Sequence, residues 1–174
     1  GDILLNLDTE EDDEIDIGCA GGVDVTATAE FCAIAHEGEV LNISIKGLQG
    51  GHSGMDIHKG FGNANKILGR FLFAGLSNKI EILSIDGGGL RNAIPREAKA
   101  SISTSENSKY LETFEALRQN ILEEFETIEP NLEISIEKST SNEQKLTIED
   151  SKKVIFAVNA AHNGVFRMSP DVEG

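Results

Sequence analysis

Two stretches with apolar residues at helical spacing, interleaved with four short runs that alternate apolar and polar, constrain this chain more than any other feature. The helical stretches are 63–76, with Ile67, Leu68, Phe71, Leu72 and Ala74 on one face, and 107–126, with Leu111, Phe114, Leu117, Ile121, Leu122 and Phe125. Lys66 and Arg70 fall on the outward side of the first. The alternating runs 40–46, 79–85, 98–104 and 131–136 each suit a strand with one buried face. In chain order the pattern is β-α-β-β-α-β, which predicts an antiparallel sheet with helices on one face, an α+β class. A third helical stripe follows at 151–161 (Val154, Ile155, Val158), and His162 before Asn163-Gly164 marks its end. Upstream, 2–7, 15–18 and 26–35 also read as strands, the last two joined through Gly21-Gly22.

Composition narrows the function classes. With 174 residues the chain can form one domain with a real core, or one and a half small ones. A content of 39% hydrophobic residues, no Trp and 18 Gly suits a soluble protein with many turns. No apolar run approaches the roughly 20 residues needed to cross a bilayer, and no basic, apolar leader is present, so a cytoplasmic location is expected. The net charge of -15 excludes nucleic acid as a partner, because a polyanion needs clustered Lys and Arg. Cys19 and Cys32 have neither disulfide density nor metal-knuckle spacing and read as reduced, small buried side chains. The chain begins at Gly1 without Met and stops without a helix terminator, which reads as a piece of a longer protein.

The chemistry-bearing residues cluster between 47 and 95. Gly47-Leu48-Gln49-Gly50-Gly51-His52-Ser53-Gly54 places four glycines around one imidazole, freeing the backbone for positive φ and leaving the ring uncrowded. On spacing alone His52 is either a ligand-facing side chain or a turn histidine bonded to a neighbouring carbonyl. His58, six residues on, does not make a metal pair with it and reads as structural. The start of the first helix, near Gly62, aims backbone N–H groups at the histidine loop, where they could help hold an anion; Asn63 and Asn65 read as capping residues. Further on, Leu90-Arg91-Asn92-Ala93-Ile94-Pro95 carries an amide whose presentation Pro95 would fix. Asp8 ends the strand 2–7, where it is either a ligand-facing carboxylate or a solvated turn residue. The acidic run 10–16 reads as a solvated hinge.

The blocks ILLNLDTEE, IGCAGGVD, GLQGGHSGMDIHKGFGNANKILGRFL and GGGLRNAIPREA, in that order over the first 100 residues or so, closely resemble the aminoacyl-histidine dipeptidases. These belong to a wider family of two-metal peptidases and carnosinases in which a lid is inserted into a catalytic domain. The resemblance implies that 1–24 is the last catalytic-domain strand and hinge, and that 25–174 is a lid domain, incomplete at its C-terminal side. Its ferredoxin-like architecture agrees with the strand and helix order above.

The activity implied is metal-assisted hydrolysis of Xaa-His, carnosine-like dipeptides by a cytoplasmic homodimer. Asp8 would be a ligand to one of two divalent ions, zinc before cobalt or manganese. The general base would come from a glutamate outside this sequence. His52 would be the catalytic donor to the oxyanion, brought in by lid closure, and Asn92, with Arg91, would bind the substrate carboxylate. The chain alone should then be inactive. Two alternatives stand beside this: the lid of another two-metal aminopeptidase or acyl-amino-acid hydrolase, and a non-catalytic dimerisation module.

Overall fold

Isoleucine and leucine at every second position of one long strand set the layers of the molecule. The computed structural model describes residues 21–168 and residue 170. Contacts divide the chain between Glu30 and Phe31, and every helix and strand assigned among the described residues lies in the second unit, Phe31–Gly174. In order these are β1 (Ala33–Ala35), β2 (Gly38–Lys46), α1 (Ala64–Ala74), β3 (Glu81–Gly87), β4 (Ala98–Ser103), α2 (Asn107–Phe125), β5 (Glu133–Ser141), β6 (Gln144–Leu146) and α3 (Ile148–Ala160).

Strands β2 to β5 form an antiparallel sheet in the order β3-β4-β2-β5, with α1 and α2 as the crossovers. That is the βαββαβ topology predicted from the alternation of patterns. Along β2, Leu41, Ile43 and Ile45 are buried, while Asn42, Ser44 and Lys46 point to the other face and line a shallow polar groove of about 530 Å³. Register places Leu41 opposite Ile102 and Ile43 opposite Ala100 on β4, and Ile45 opposite Ile134 on β5. Period-two alternation therefore puts the apolar face of β2, β4 and β5 under the helices, while in β3 a register shift between Ile82 and Ser84 lets Ile82 and Ile85, three residues apart, both pack on the core.

The helices close the core with aromatic residues. Phe71 of α1 and Phe114 of α2 stack with ring centroids 4.5 Å apart, and Tyr110 meets Phe114 edge-on at 6.3 Å. The Tyr110 hydroxyl donates to the Phe71 carbonyl at 3.3 Å, and burial pushes its pKa up. Of the stripe expected on α2, Phe114 and Ile121 are fully buried; Leu111, Leu117, Leu122 and Phe125 pack at its margin.

Helix α3 packs against α1 and β3. Lys66, expected to face outward, instead donates from Nζ to the carbonyls of Val158, Asn159 and Ala161 at 3.1, 2.8 and 2.8 Å. A cation at a helix C-terminus satisfies carbonyls that lack helical partners, which outweighs full hydration of the ammonium. Ser151 Oγ of α3 accepts the Ile82 N–H at 3.0 Å, and Lys145 of β6 pairs with Glu81 at 2.5 Å. Both contacts cover the outer side of β3.

Several expectations are corrected. Only Ala33–Ala35 of the strand expected at 26–35 is formed; it pairs with β6, which is too short to leave a periodicity. Cys32 is exposed, since it precedes that short strand and stands clear of the core. Cys19, Asp8, the acidic run 10–16 and the strands expected at 2–7 and 15–18 lie outside the described residues. Among the described residues no helix is long and apolar enough to cross a membrane.

Candidate active-site loop

The glycines before His52 are required by the path of the chain. Gly50 has φ +72° and a Cβ there would run into the Arg96 side chain; Gly51 has φ +144°, and its Cβ would fall 2.8 Å from Asp56 Oδ2. The two left-handed residues turn the chain so that His52 opens a tight turn. Asp56 N–H donates to the His52 carbonyl at 2.9 Å, and the His52 N–H donates back to Asp56 Oδ2 at 2.7 Å. Asp56 Oδ1 accepts from Lys59 Nζ at 2.6 Å. The bond from Lys59 and that from the His52 amide hold the Asp56 carboxyl below the usual carboxylate range.

The ring of His52 is oriented by the same turn. Its Nδ1 accepts the backbone N–H groups of Gly54 and Met55 at 3.2 and 3.1 Å. An Nδ1 that accepts carries no proton, so in the neutral ring the proton sits on Nε2. Gly54 leaves room for the ring, since a Cβ there would already lie 3.3 Å from it. The ring is thus bonded within its own turn through Nδ1, which accepts, and a neutral ring carries its donor at Nε2.

The second block is tied directly to this loop. His52 and Ala93 form an antiparallel bridge, with Ser53 N–H donating to the Asn92 carbonyl at 2.9 Å and Ile94 N–H to the Gly51 carbonyl at 2.8 Å. Pro95 in turn accepts from Ala64 N–H at 2.9 Å, so the block also rests on the first turn of α1. Ile94 is buried and anchors the segment, while Arg91 and Asn92 are exposed. Residues forty positions apart in sequence are thereby adjacent in backbone: His52 is half-buried and Asn92 flanks its bridging partner.

The anion site expected at the start of α1 is already filled by the chain itself. Gly62 N–H donates to Glu129 Oε1 at 2.7 Å, and Asn63, the N-cap, accepts from Lys66 N–H at 3.2 Å. Asn65 is not a cap but lies against Gly87 and Gly88, whose missing side chains make room for it. His58 is exposed in a short 3-10 turn (Ile57–Lys59), and His162 bonds the Gly164 carbonyl just beyond α3. Sequence reasoning missed Asp56 and Glu129. Asp56 had a signal, a carboxylate four residues after the histidine in a glycine-rich turn; Glu129 had none, because its partners lie 67 and 80 residues away.

Among the described residues no cluster of three His, Cys, Asp or Glu could hold a metal ion. What the loop presents is the half-buried His52 ring and the exposed Asn92 amide. The fold is thus a four-stranded antiparallel sheet backed by two helices, with the His52 loop tied to the 90–95 segment and to the start of α1.

Comparison with known proteins agrees. Residues 43–133 match the peptidase dimerisation domain, and the chain belongs to that family. It is 40% identical over 182 residues to the cytosol non-specific dipeptidase of Escherichia coli (strain K12), covering 99% of this chain and 37% of that protein. It is similar to the crystal structure of aminoacylhistidine dipeptidase from Vibrio alginolyticus, with 40% identity and a TM-score of 0.75 over 83% of this chain and 30% of that one. The chain thus spans about a third of the length of the relatives it matches.

Proposed function

We propose that this chain is the lid of a metal-dependent dipeptidase, and that its task is to bring the His52 Nε2–H to the oxyanion of a scissile peptide bond. The observation that carries the reading is the orientation of the ring: two backbone N–H groups occupy Nδ1, which commits Nε2 to donation. A donor held in advance needs no reorganisation when negative charge develops on the carbonyl oxygen. Asn92, exposed beside the bridge, binds the substrate's terminal carboxylate through its amide, and Arg91 adds charge attraction at the same end. In this reading 1–24 is the last strand of a catalytic domain with its hinge, and 25–174 is the lid.

Two divalent ions, zinc before cobalt or manganese, belong to the catalytic domain, with Asp8 as one ligand. When bound they supply Lewis-acid activation of the hydrolytic reaction. The described residues of the lid contribute none of their ligands. Catalysis then requires the lid to close, within one subunit or across a homodimer, the assembly that the family's description favours. A cytoplasmic location is in keeping with the name of the E. coli relative.

The two relatives' names differ on substrate, one non-specific and one directed at aminoacyl-histidine. Our reading is hydrolysis of Xaa-His dipeptides. A panel of dipeptides and N-acyl amino acids offered to the metal-loaded full-length protein tests it. Preference for C-terminal histidine is expected. Hydrolysis of N-acyl amino acids alone would place the chain with acyl-amino-acid hydrolases, and no hydrolysis at all would leave a dimerisation module.

A further inference from the structure

The loop that carries His52 has a stem, and one buried side chain holds both ends of it. Glu129 lies in the turn between α2 and β5 and is only 2% exposed. Its Oε2 accepts the Gln49 N–H at 2.8 Å, and its Oε1 accepts the Gly62 N–H at 2.7 Å. These two amides bracket the loop, one just before the glycine pair and one just after the 3-10 turn.

The same turn grips the stem in two further ways. The Gln49 side-chain amide donates to the Ile128 carbonyl, and Gly47, at φ +81°, passes so near the Asn131 carbonyl that any Cβ would overlap it. Gly62 is equally confined, between Leu48 and Glu129. The backbone of Glu129 is itself fixed, since its N–H donates to the Phe125 carbonyl at 2.8 Å and its carbonyl accepts from Leu132 at 3.0 Å. A buried carboxyl is expensive to leave unsatisfied, so its burial is explained by both oxygens being bonded to amides that would otherwise also lack partners. It sits near the positive end of α1, where negative charge is favoured.

We propose that Glu129 is the positioning residue of the His52 loop: one carboxylate clamps residues 49 and 62 to the α2–β5 turn and so fixes where the imidazole stands. Glu129 does not reach the substrate; it acts through His52. The proposal rests on the reading of His52 as the oxyanion donor for its kinetic consequence, but the clamp itself is measured without activity.

The test compares the full-length wild-type protein with Glu129→Gln and Glu129→Ala by hydrogen exchange, ring nitrogen NMR of His52, and kinetics on an Xaa-His dipeptide. Glu129→Gln keeps the shape but offers one acceptor where two are needed, so one of the two amides, at 49 or 62, should exchange about 10-fold faster or more while the other stays protected. In Glu129→Ala both should, and the His52 ring signals should broaden or split as the loop samples several positions. Unchanged exchange at both amides in a folded Glu129→Gln protein overturns the clamp. On the dipeptide, kcat should fall by about 10-fold or more with KM within about 2-fold, since the donor acts in the transition state. A loss of kcat that merely tracks the unfolded fraction, matched by Ile155→Val, a core change in α3, would also overturn it. If the wild-type protein hydrolyses no dipeptide, the dipeptidase reading fails, and exchange and NMR still decide the clamp.

Discussion

At the scale of single residues, the account turns on how a short turn disposes of its hydrogen bonds. His52 donates and accepts through its backbone to Asp56, and its ring accepts from Gly54 and Met55. Nitrogen NMR of the 174-residue chain should therefore show, for the neutral form of the His52 ring, Nδ1 as the unprotonated nitrogen and Nε2 as the protonated one; the opposite tautomer would remove the donor. Asp56 adds a pH dependence whose sign is set by its depressed carboxyl. A group with a lower pKa in the folded than in the unfolded state stabilises above its unfolded value, near 3.8, and that contribution is lost as pH falls through the folded value. The His52 amide should then lose protection from exchange below about pH 4, and Asp56→Asn should remove that acid step. An acid step that persists in Asp56→Asn would assign it to another carboxyl.

At the scale of elements, the strands and helices of the sandwich were legible because their residues repeat at two clear periods, and burial on one face enforces both. The helix expected at 107–126 is α2 to within a residue, and the run 40–46 is all of β2 but its first two residues. What periodicity cannot see is a contact made at long range by a single group. Lys66 looked like a solvated helix residue until α3 supplied three carbonyls, and Glu129 lay in an acidic segment with nothing local to single it out. The pairing of His52 with Ala93 likewise had no local signature, although both blocks were read as functional. The core itself makes a firm prediction. Phe71 is fully buried and stacks on Phe114, so Phe71→Ala should destabilise the domain by about 3–5 kcal/mol in urea unfolding, with an unchanged m-value. A loss under about 1 kcal/mol would mean that the aromatic pair is not the centre of the core.

At the scale of the whole molecule, the proposed division of labour makes the domain an accessory, with His52 as its donor and Asn92 as its carboxylate-binding amide; among its described residues there is no group of three His, Cys, Asp or Glu that could hold a metal ion. The 174-residue chain should hydrolyse no dipeptide in the presence of zinc, manganese or cobalt, and measurable hydrolysis by it would contradict the division of labour. The most direct measurement is made on the full-length protein, comparing wild type with His52→Ala for turnover of an Xaa-His dipeptide and for bound metal. The account predicts a fall in kcat of about 100- to 1,000-fold, the usual effect of losing one oxyanion donor, with metal content unchanged. Turnover that stays at the wild-type level would contradict it.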